Sequence, residues 1–298
     1  MIEINNVCKS FEKVQALDSV SINVKESSVF GIVGTNGSGK STLLRIMAGI
    51  YNPDVGYVRY DSNNILMNPQ IKKNMFYMSD EQYSFPNSSI NDMIKFYKCF
   101  YTFDDKFFND MCKIFELDKK QKISTFSKGV KKQITMITAL ATHPKYLICD
   151  ETFDGLDVVV RRSVKEVVLQ RVVDEGMTAI LASHNLFEID GICDNLALLH
   201  KGKIELMDEI DNLKYQLHAA IVALNENVSD EKFNEIGAIS HKLSNGVGRI
   251  VIRGTEDEAE KKIQALSPEY YKMLPLTLEE IFISEMEARG YDRTIVCM

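Results

Sequence analysis

At 298 residues the chain is longer than one ordinary domain, and its 45% apolar content can bury a large core, so a core domain with an appendage is expected. Its 35 basic against 42 acidic residues leave a formal charge of −7, which gives no electrostatic footprint for free nucleic acid. No stretch approaches the roughly 20 apolar residues of a bilayer-crossing helix, and the amino terminus MIEINNVCKSF lacks the basic and apolar regions of a secretory signal. The chain is therefore expected in the cytosol, unable to span a membrane alone. Six cysteines (Cys8, Cys99, Cys112, Cys149, Cys193, Cys297) show no CxxC pair or zinc spacing and read as reduced thiols.

Alternating apolar positions, Ile2/Ile4 and Val20/Ile22/Val24, predict short strands with one buried face. Phe11 falls between them in a polar loop, KSFEK, where it reads equally as a core anchor or as a flat face for a base to stack on. An apolar run at 29–33 then stops at Gly34 and opens residues 34–42, GTNGSGKST, the spacing of a P-loop. Leu43, Leu44, Ile46 and Met47 behind it suit one face of a helix, so strand, loop and helix stand in the required order. In such a loop the amide hydrogens turn inward around an anion, and Gly34, Gly37 and Gly39 supply the backbone freedom for that. With the helix start adding partial positive charge, the whole loop (Gly34, Thr35, Asn36, Gly37, Ser38, Gly39, Lys40, Ser41, Thr42) is expected to bind ATP. Lys40 would reach the β- and γ-phosphates, and the Ser41 hydroxyl would take one position on Mg²⁺.

Gly49 closes that helix, and Asn52-Pro53-Asp54 with Gly56 turns the chain into a strand at 57–60. A second apolar run, 75–78, leads into Ser79-Asp80-Glu81-Gln82, acids that read either as metal-proximal or as a solvated loop. From Ser88 the pattern becomes helical: Ser89 with Asp92 resembles an amino-terminal cap, and Phe107, Phe108, Met111, Cys112 and Phe115 form a stripe read as packing. This predicts a helical insert at about 86–140. Phe126-Ser127-Lys128-Gly129-Val130 precedes a helix at 134–141 and, taken alone, is an ordinary cap.

The run 146–149 goes straight into Asp150 and Glu151, a buried strand ending in two carboxylates. Ligands of parallel sheets lie beyond the carboxyl ends of the strands. Asp150 would thus meet the metal carried by Ser41, and Glu151 would accept a proton from the attacking water or hold it in line. A further apolar strand, 179–182, ends in Ser183-His184, in the chain order of a γ-phosphate contact, and a hairpin follows at 195–207. From about Leu217 the chain reads as strand (219–224), helix (230–236), an Asn245-Gly246 turn before a strand at 249–253, helix (255–266) and strand (270–274). A Thr277/Glu280 capping box then opens a helix at 278–287. No chemical motif lies in this part.

Taken together, GTNGSGKST, FSKGV, YLICDE followed by GLD, and SH resemble the ATP-binding subunit of an ABC transporter over residues 1–212, and the tail with its LEEIF segment looks like that of ABC-2 type exporter ATPases. The resemblance implies an α/β fold: a P-loop NTPase (RecA-like) core with an antiparallel β region and an inserted α-helical subdomain, plus a small α+β domain at 213–298. It also implies residue roles. Phe11 would stack on adenine, Ser41 and Asp150 would hold Mg²⁺, Glu151 would serve the water, and His184 would contact the γ-phosphate. Ser127, Lys128 and Gly129 would act in trans on a partner's ATP, with Asp157 linking the two sites. The implied partners are a second ABC subunit, as homodimer or heterodimer, and a separate polytopic membrane subunit holding the chain to the inner face of the cell membrane.

Two departures stand out. The family's Gln after the 75–78 strand is replaced by Asp80, with Gln82 two residues on, which makes Asp80 a further metal candidate; Lys128 replaces the first signature glycine and Phe126 the usual Leu. Thr152 and Phe153 also replace the usual Pro-Thr. An ATP-hydrolysing transport motor, with export favoured, is expected. The alternatives are a soluble ABC ATPase working outside transport and a weakly hydrolysing regulatory protein. A nucleotide kinase would leave FSKGV and SH without a role.

Overall fold

The computed structural model describes residues 1–81, 85, 87–224 and 228–288. Its chain falls into two compact units, Met1–Met207 and Asp208–Met298. In the first, the order is β1 (Ile2–Phe11), β2 (Val14–Val24), β3 (Val29–Val33), α1 (Lys40–Met47), β4 (Val55–Tyr60), β5 (Asn63–Asn64), β6 (Met75–Met78), α2 (Ile90–Tyr97), α3 (Asp105–Ile114), α4 (Lys128–Ala141), β7 (Tyr146–Asp150), α5 (Val158–Glu175), β8 (Thr178–Ser183), α6 (Leu186–Ile189), β9 (Asn195–His200) and β10 (Lys203–Glu209). Two sheets result: an antiparallel one ordered β2-β1-β4-β5 and a six-stranded one ordered β10-β9-β3-β8-β7-β6.

Every residue of β3, β7 and β8 is buried. Strands covered on both faces read as unbroken apolar runs, which is why these were visible in the sequence. One face of the large sheet (Phe30, Ile32, Ile148, Ile180) packs with α1 and with Ile2, Ile4 and Val20 of the antiparallel sheet. Its other face (Val29, Leu147, Cys149, Ala179, Leu181) packs on α4 and α5. In α5, Val160, Val164, Val168 and Val172 recur every fourth residue and lie buried, each contributing about 1.5–3 kcal/mol by leaving water. Strands β6, β7, β8, β3 and β9 are mutually parallel, with Val33 beside Ser183, Asp150 beside Ala182 and Met78 beside Cys149. The segments following β3, β6, β7 and β8 therefore emerge at one edge.

The insert is helical. Ser89 and Asp92 form the capping box of α2, and Phe108, Met111 and Cys112 pack with Ile90, Met93, Ile134 and Ile137 in a core of their own. Helix α4 begins at Lys128, six residues before the apolar periodicity suggested, because its first turn is polar and Ser127 caps it. Phe11 also departs from expectation: it is the last residue of β1, paired with Val14, and not part of a loop. Gln82 and Cys297 lie outside the described residues.

The second unit runs α7 (Ile210–Gln216), β11 (Leu217–Ala223), α8 (Asp230–Glu235), β12 (Ala238–Ser244), β13 (Val247–Arg253), α9 (Glu256–Gln264), β14 (Tyr270–Leu274) and α10 (Leu278–Ala288). Its antiparallel sheet is ordered β12-β13-β11-β14, so the segment from β11 to β14 is a βαββαβ, ferredoxin-like arrangement. Ala220, Val222, Ile250 and Ile252 face Phe233 of α8 and Ala259 and Ile263 of α9. Arg249 and Arg253, four residues apart on β13, pair with Glu280 and Glu285 of α10, and Arg249 holds the Glu280 carboxyl down at about 2.

Candidate functional site

The loop after β3 is shaped by close backbone approaches. A Cβ on Gly34 would lie 2.2 Å from the Leu199 carbonyl oxygen and 2.6 Å from Ser38 Oγ, so a side chain there has no room. Gly39, at φ +110°, is the amino-terminal cap of α1 and makes no side-chain cap bond, leaving the first amides of the helix to an anion. The buried Ser38 hydroxyl has no hydrogen-bond partner among the described residues. Around the loop lies a cleft of about 450 Å³, lined by Val14, Gln15, Ala16, residues 36–42, Asp80, Glu151 and Lys201.

Five expected side chains meet here. The buried Lys40 ammonium donates to the carbonyls of Gly34 (2.6 Å) and Thr35 (3.2 Å) and pairs with Glu151 Oε1 at 3.3 Å. Ser41 Oγ donates to Asp150 Oδ1 at 3.1 Å, and Tyr77 donates to Asp150 Oδ2 at 3.5 Å. Glu151 Oε2 accepts from the His184 backbone N–H (3.2 Å) and meets His184 Nδ1 at 2.7 Å. Asp150 is 1% exposed. Burial raises its pKa, the Ser41 hydrogen bond opposes that, and the charge of Glu151 adds to it. Burial and then the Asp150 charge push Tyr77 up to about 12.

The remaining candidates stand apart from this cluster. Phe11 is 41% exposed and meets Tyr51 edge-on at 5.5 Å; neither it nor Ser127 and Gly129 is among the described residues lining the cleft. Ser127 caps α4 by accepting from Val130 N, and Asp157 caps α5 by accepting from Val160 N at 2.9 Å. A Cβ on Gly129 would meet the Gly155 carbonyl oxygen at 2.3 Å, so the signature turn rests on the GLD loop. Asp80 lines the cleft, but its carboxylate pairs with Lys132 at 2.8 Å and Lys128 at 3.3 Å. Burial opposes its ionisation, yet these lysines hold it below the usual carboxylate range. Binding a metal would require giving up that pairing.

Sequence reasoning missed three supporting residues. Tyr77 touches the Asp150 carboxylate at the end of β7, and Lys132 touches the main-chain carbonyl of Glu151 just beyond it. Glu188, buried and raised in pKa by burial, accepts from Ser183 Oγ at 2.6 Å and pins the turn that carries His184. For Lys132 a signal existed: it lies four residues before Met136 and eight before Leu140, on the buried stripe of α4.

The family model described as ABC transporter matches residues 17–154. The ABC transporter ATP-binding protein YtrB of Bacillus subtilis is 26% identical over 96% of this chain and 98% of its own length. An uncharacterised ABC transporter ATP-binding protein, MJ1023 of Methanocaldococcus jannaschii, is 31% identical over 71% of this chain and 79% of its own. Several other relatives are named as import proteins, for methionine, sulfate/thiosulfate and spermidine/putrescine. The dimeric structure of MJ0796, a bacterial ABC transporter cassette, shares the fold with a TM-score of 0.63 at 21% identity, covering 70% of this chain and 99% of that one. The chain belongs to the ATP-binding subunits of ABC transporters, and it is an ATPase.

Proposed function

We propose that this chain is the motor of a transporter whose membrane-spanning part is a separate polytopic subunit, and that it works in export from the inner face of the cell membrane. The observation carrying the motor reading is the meeting of residues far apart in sequence: Ser41 with Asp150 at 3.1 Å and Lys40 with Glu151 at 3.3 Å. Residues 1–212 would form the cassette, with its helical insert at about 86–140, and residues 213–298 an accessory domain. Export is supported by the likeness of the LEEIF tail to exporter ATPases; the import relatives match only 68–72% of this chain.

In the mechanism, the amides of residues 34–42 and Lys40 bind the phosphates of ATP, and Phe11 offers its exposed ring to the adenine. Ser41 and Asp150 fit Mg²⁺, a hard cation that takes one or two protein oxygens and fills its shell with phosphate and water oxygens. Bound there, the metal would supply charge neutralisation on the phosphates. Glu151 orients or deprotonates the attacking water, His184 steadies its carboxylate and reaches the γ-phosphate, and Lys40 offsets charge that develops on the phosphoryl oxygens. Ser127, Lys128 and Gly129 of one subunit close over the ATP of another, with Asp157 between the sites. Closure on ATP and release after hydrolysis give the stroke.

The test is affinity capture of the tagged full-length chain from its own cells. Recovery of a polytopic membrane protein that accelerates ATP turnover supports the reading. Recovery of ribosomes or DNA without a membrane protein contradicts it.

A further inference from the structure

Lys132 is a lysine with 0% exposure on the inner stripe of α4. Its ammonium donates to the main-chain carbonyl of Glu151 at 2.5 Å, pairs with Asp80 at 2.8 Å and stands 3.8 Å from Asp154. Removing an ammonium from water is costly, and an apolar side chain of similar length would pack α4 without that cost. The position of the charge must therefore be explained by what it touches.

What it touches is strained. Glu151 has φ +50°, a left-handed conformation uncommon for a residue with a Cβ, which persists only where the surroundings over-determine it. The residue is gripped on both sides: its N–H donates to the Ala182 carbonyl at 2.9 Å, and its carbonyl accepts from Lys132. This backbone turn directs the Glu151 carboxylate back toward Lys40 and His184. Without the ammonium, one grip is lost and the peptide after Glu151 can relax toward ordinary geometry.

We infer that Lys132 is a positioning residue for hydrolysis, its ammonium holding the left-handed Glu151 so that the carboxylate stays between Lys40 and His184, while Asp80 anchors that ammonium from the end of β6. The inference rests on the proposed role of Glu151. It differs from a purely structural ion pair because its effect runs through the Glu151 side chain.

The test is Lys132→Met in the full-length chain, measured for ATP turnover, KM and thermal stability, alone and combined with Glu151→Gln. A displacement of about 1 Å in a catalytic group costs up to about 10²-fold, so kcat is expected to fall roughly 10- to 100-fold with KM within about twofold of wild type. In the Glu151→Gln background the same substitution should change the residual rate by less than about twofold, because there is no carboxylate left to aim. If Lys132→Met does not fold, Lys132→Gln is measured in the same cycle with the same expectations. A kcat within twofold of wild type, or equal fold losses in both backgrounds, overturns the inference. An active Glu151→Gln enzyme would instead remove the role of Glu151, a separate result readable from that single variant.

Discussion

Replacing Gly34 by Ala tests whether the phosphate loop is built by close approach of backbone. The added Cβ would stand 2.2 Å from the Leu199 carbonyl oxygen, whereas carbon and carbonyl oxygen normally approach to about 3.3 Å. The overlap is thus about 1 Å, and it falls on a main-chain atom of β9, the strand bonded directly to β3, so no side chain can step aside. Relief requires the loop or the strand to shift, at about 1–3 kcal/mol. For a unit of this size each kcal/mol lowers Tm by about 2–4 °C, giving a fall of roughly 2–12 °C. Because the segment that moves is the one expected to hold the phosphates, a 1 Å shift would also lower turnover by up to about 10²-fold. Thermal denaturation and steady-state ATP turnover read the two effects. A variant that keeps wild-type Tm and wild-type turnover would refute the close-approach reasoning.

Phe11→Ala should raise KM for ATP about 5- to 150-fold, the range of one lost base-stacking contact of about 1–3 kcal/mol, with kcat unchanged; an unaltered KM removes the stacking role. His184→Ala should lower kcat by about 10²-fold while ATP affinity stays within a few-fold, measured by steady-state kinetics and equilibrium binding. Asp61 accepts from the amino-terminal ammonium (2.8 Å), Lys145 Nζ (2.6 Å) and Tyr146 Oη (2.6 Å), bonds that outweigh burial and hold its carboxyl well below the usual range. A depressed folded-state pKa stabilises the fold above the ordinary carboxylate value and loses that contribution as pH falls through and below it. With the side chain 39% exposed, Asp61→Asn should cost about 1 kcal/mol at pH 7, and in urea melts this gap should be flat above about pH 5 and narrow below about pH 4. A gap that does not change with pH would contradict the charge-based origin.

The parts of the fold that were legible are those where one physical demand dominates. Strands β3, β7 and β8 are buried on both faces and so carry apolar or small residues up to Asp150, the last residue of β7, and the P-loop must carry glycine where a Cβ collides with backbone. The P-loop spacing, with the rule that ligands lie beyond the carboxyl ends of parallel strands, made the meeting of Ser41, Asp150 and Glu151 foreseeable. Elsewhere the demands compete. The first turn of α4 is rich in lysine and carries Gly129, which hides its helical period, although Lys132 is fully buried there. Strand β12 has no fully buried residue, so its sequence AISHKLS shows no alternation to read. The left-handed Glu151 leaves no sequence mark, since its strain is resolved by partners from α4 and β8. Asp80 was read from its position after β6 as a metal candidate; its engagement by two lysines of α4 depends on a helix start that the sequence obscured.

The central claim is that Glu151 does chemistry in a site whose other members bind the nucleotide. Glu151→Gln measured for Mg²⁺-dependent ATP turnover and for ATP affinity addresses it directly. Turnover is expected to be lower by about 10²- to 10⁴-fold, with ATP still bound as tightly as by the wild-type chain. Turnover at the wild-type rate would contradict it.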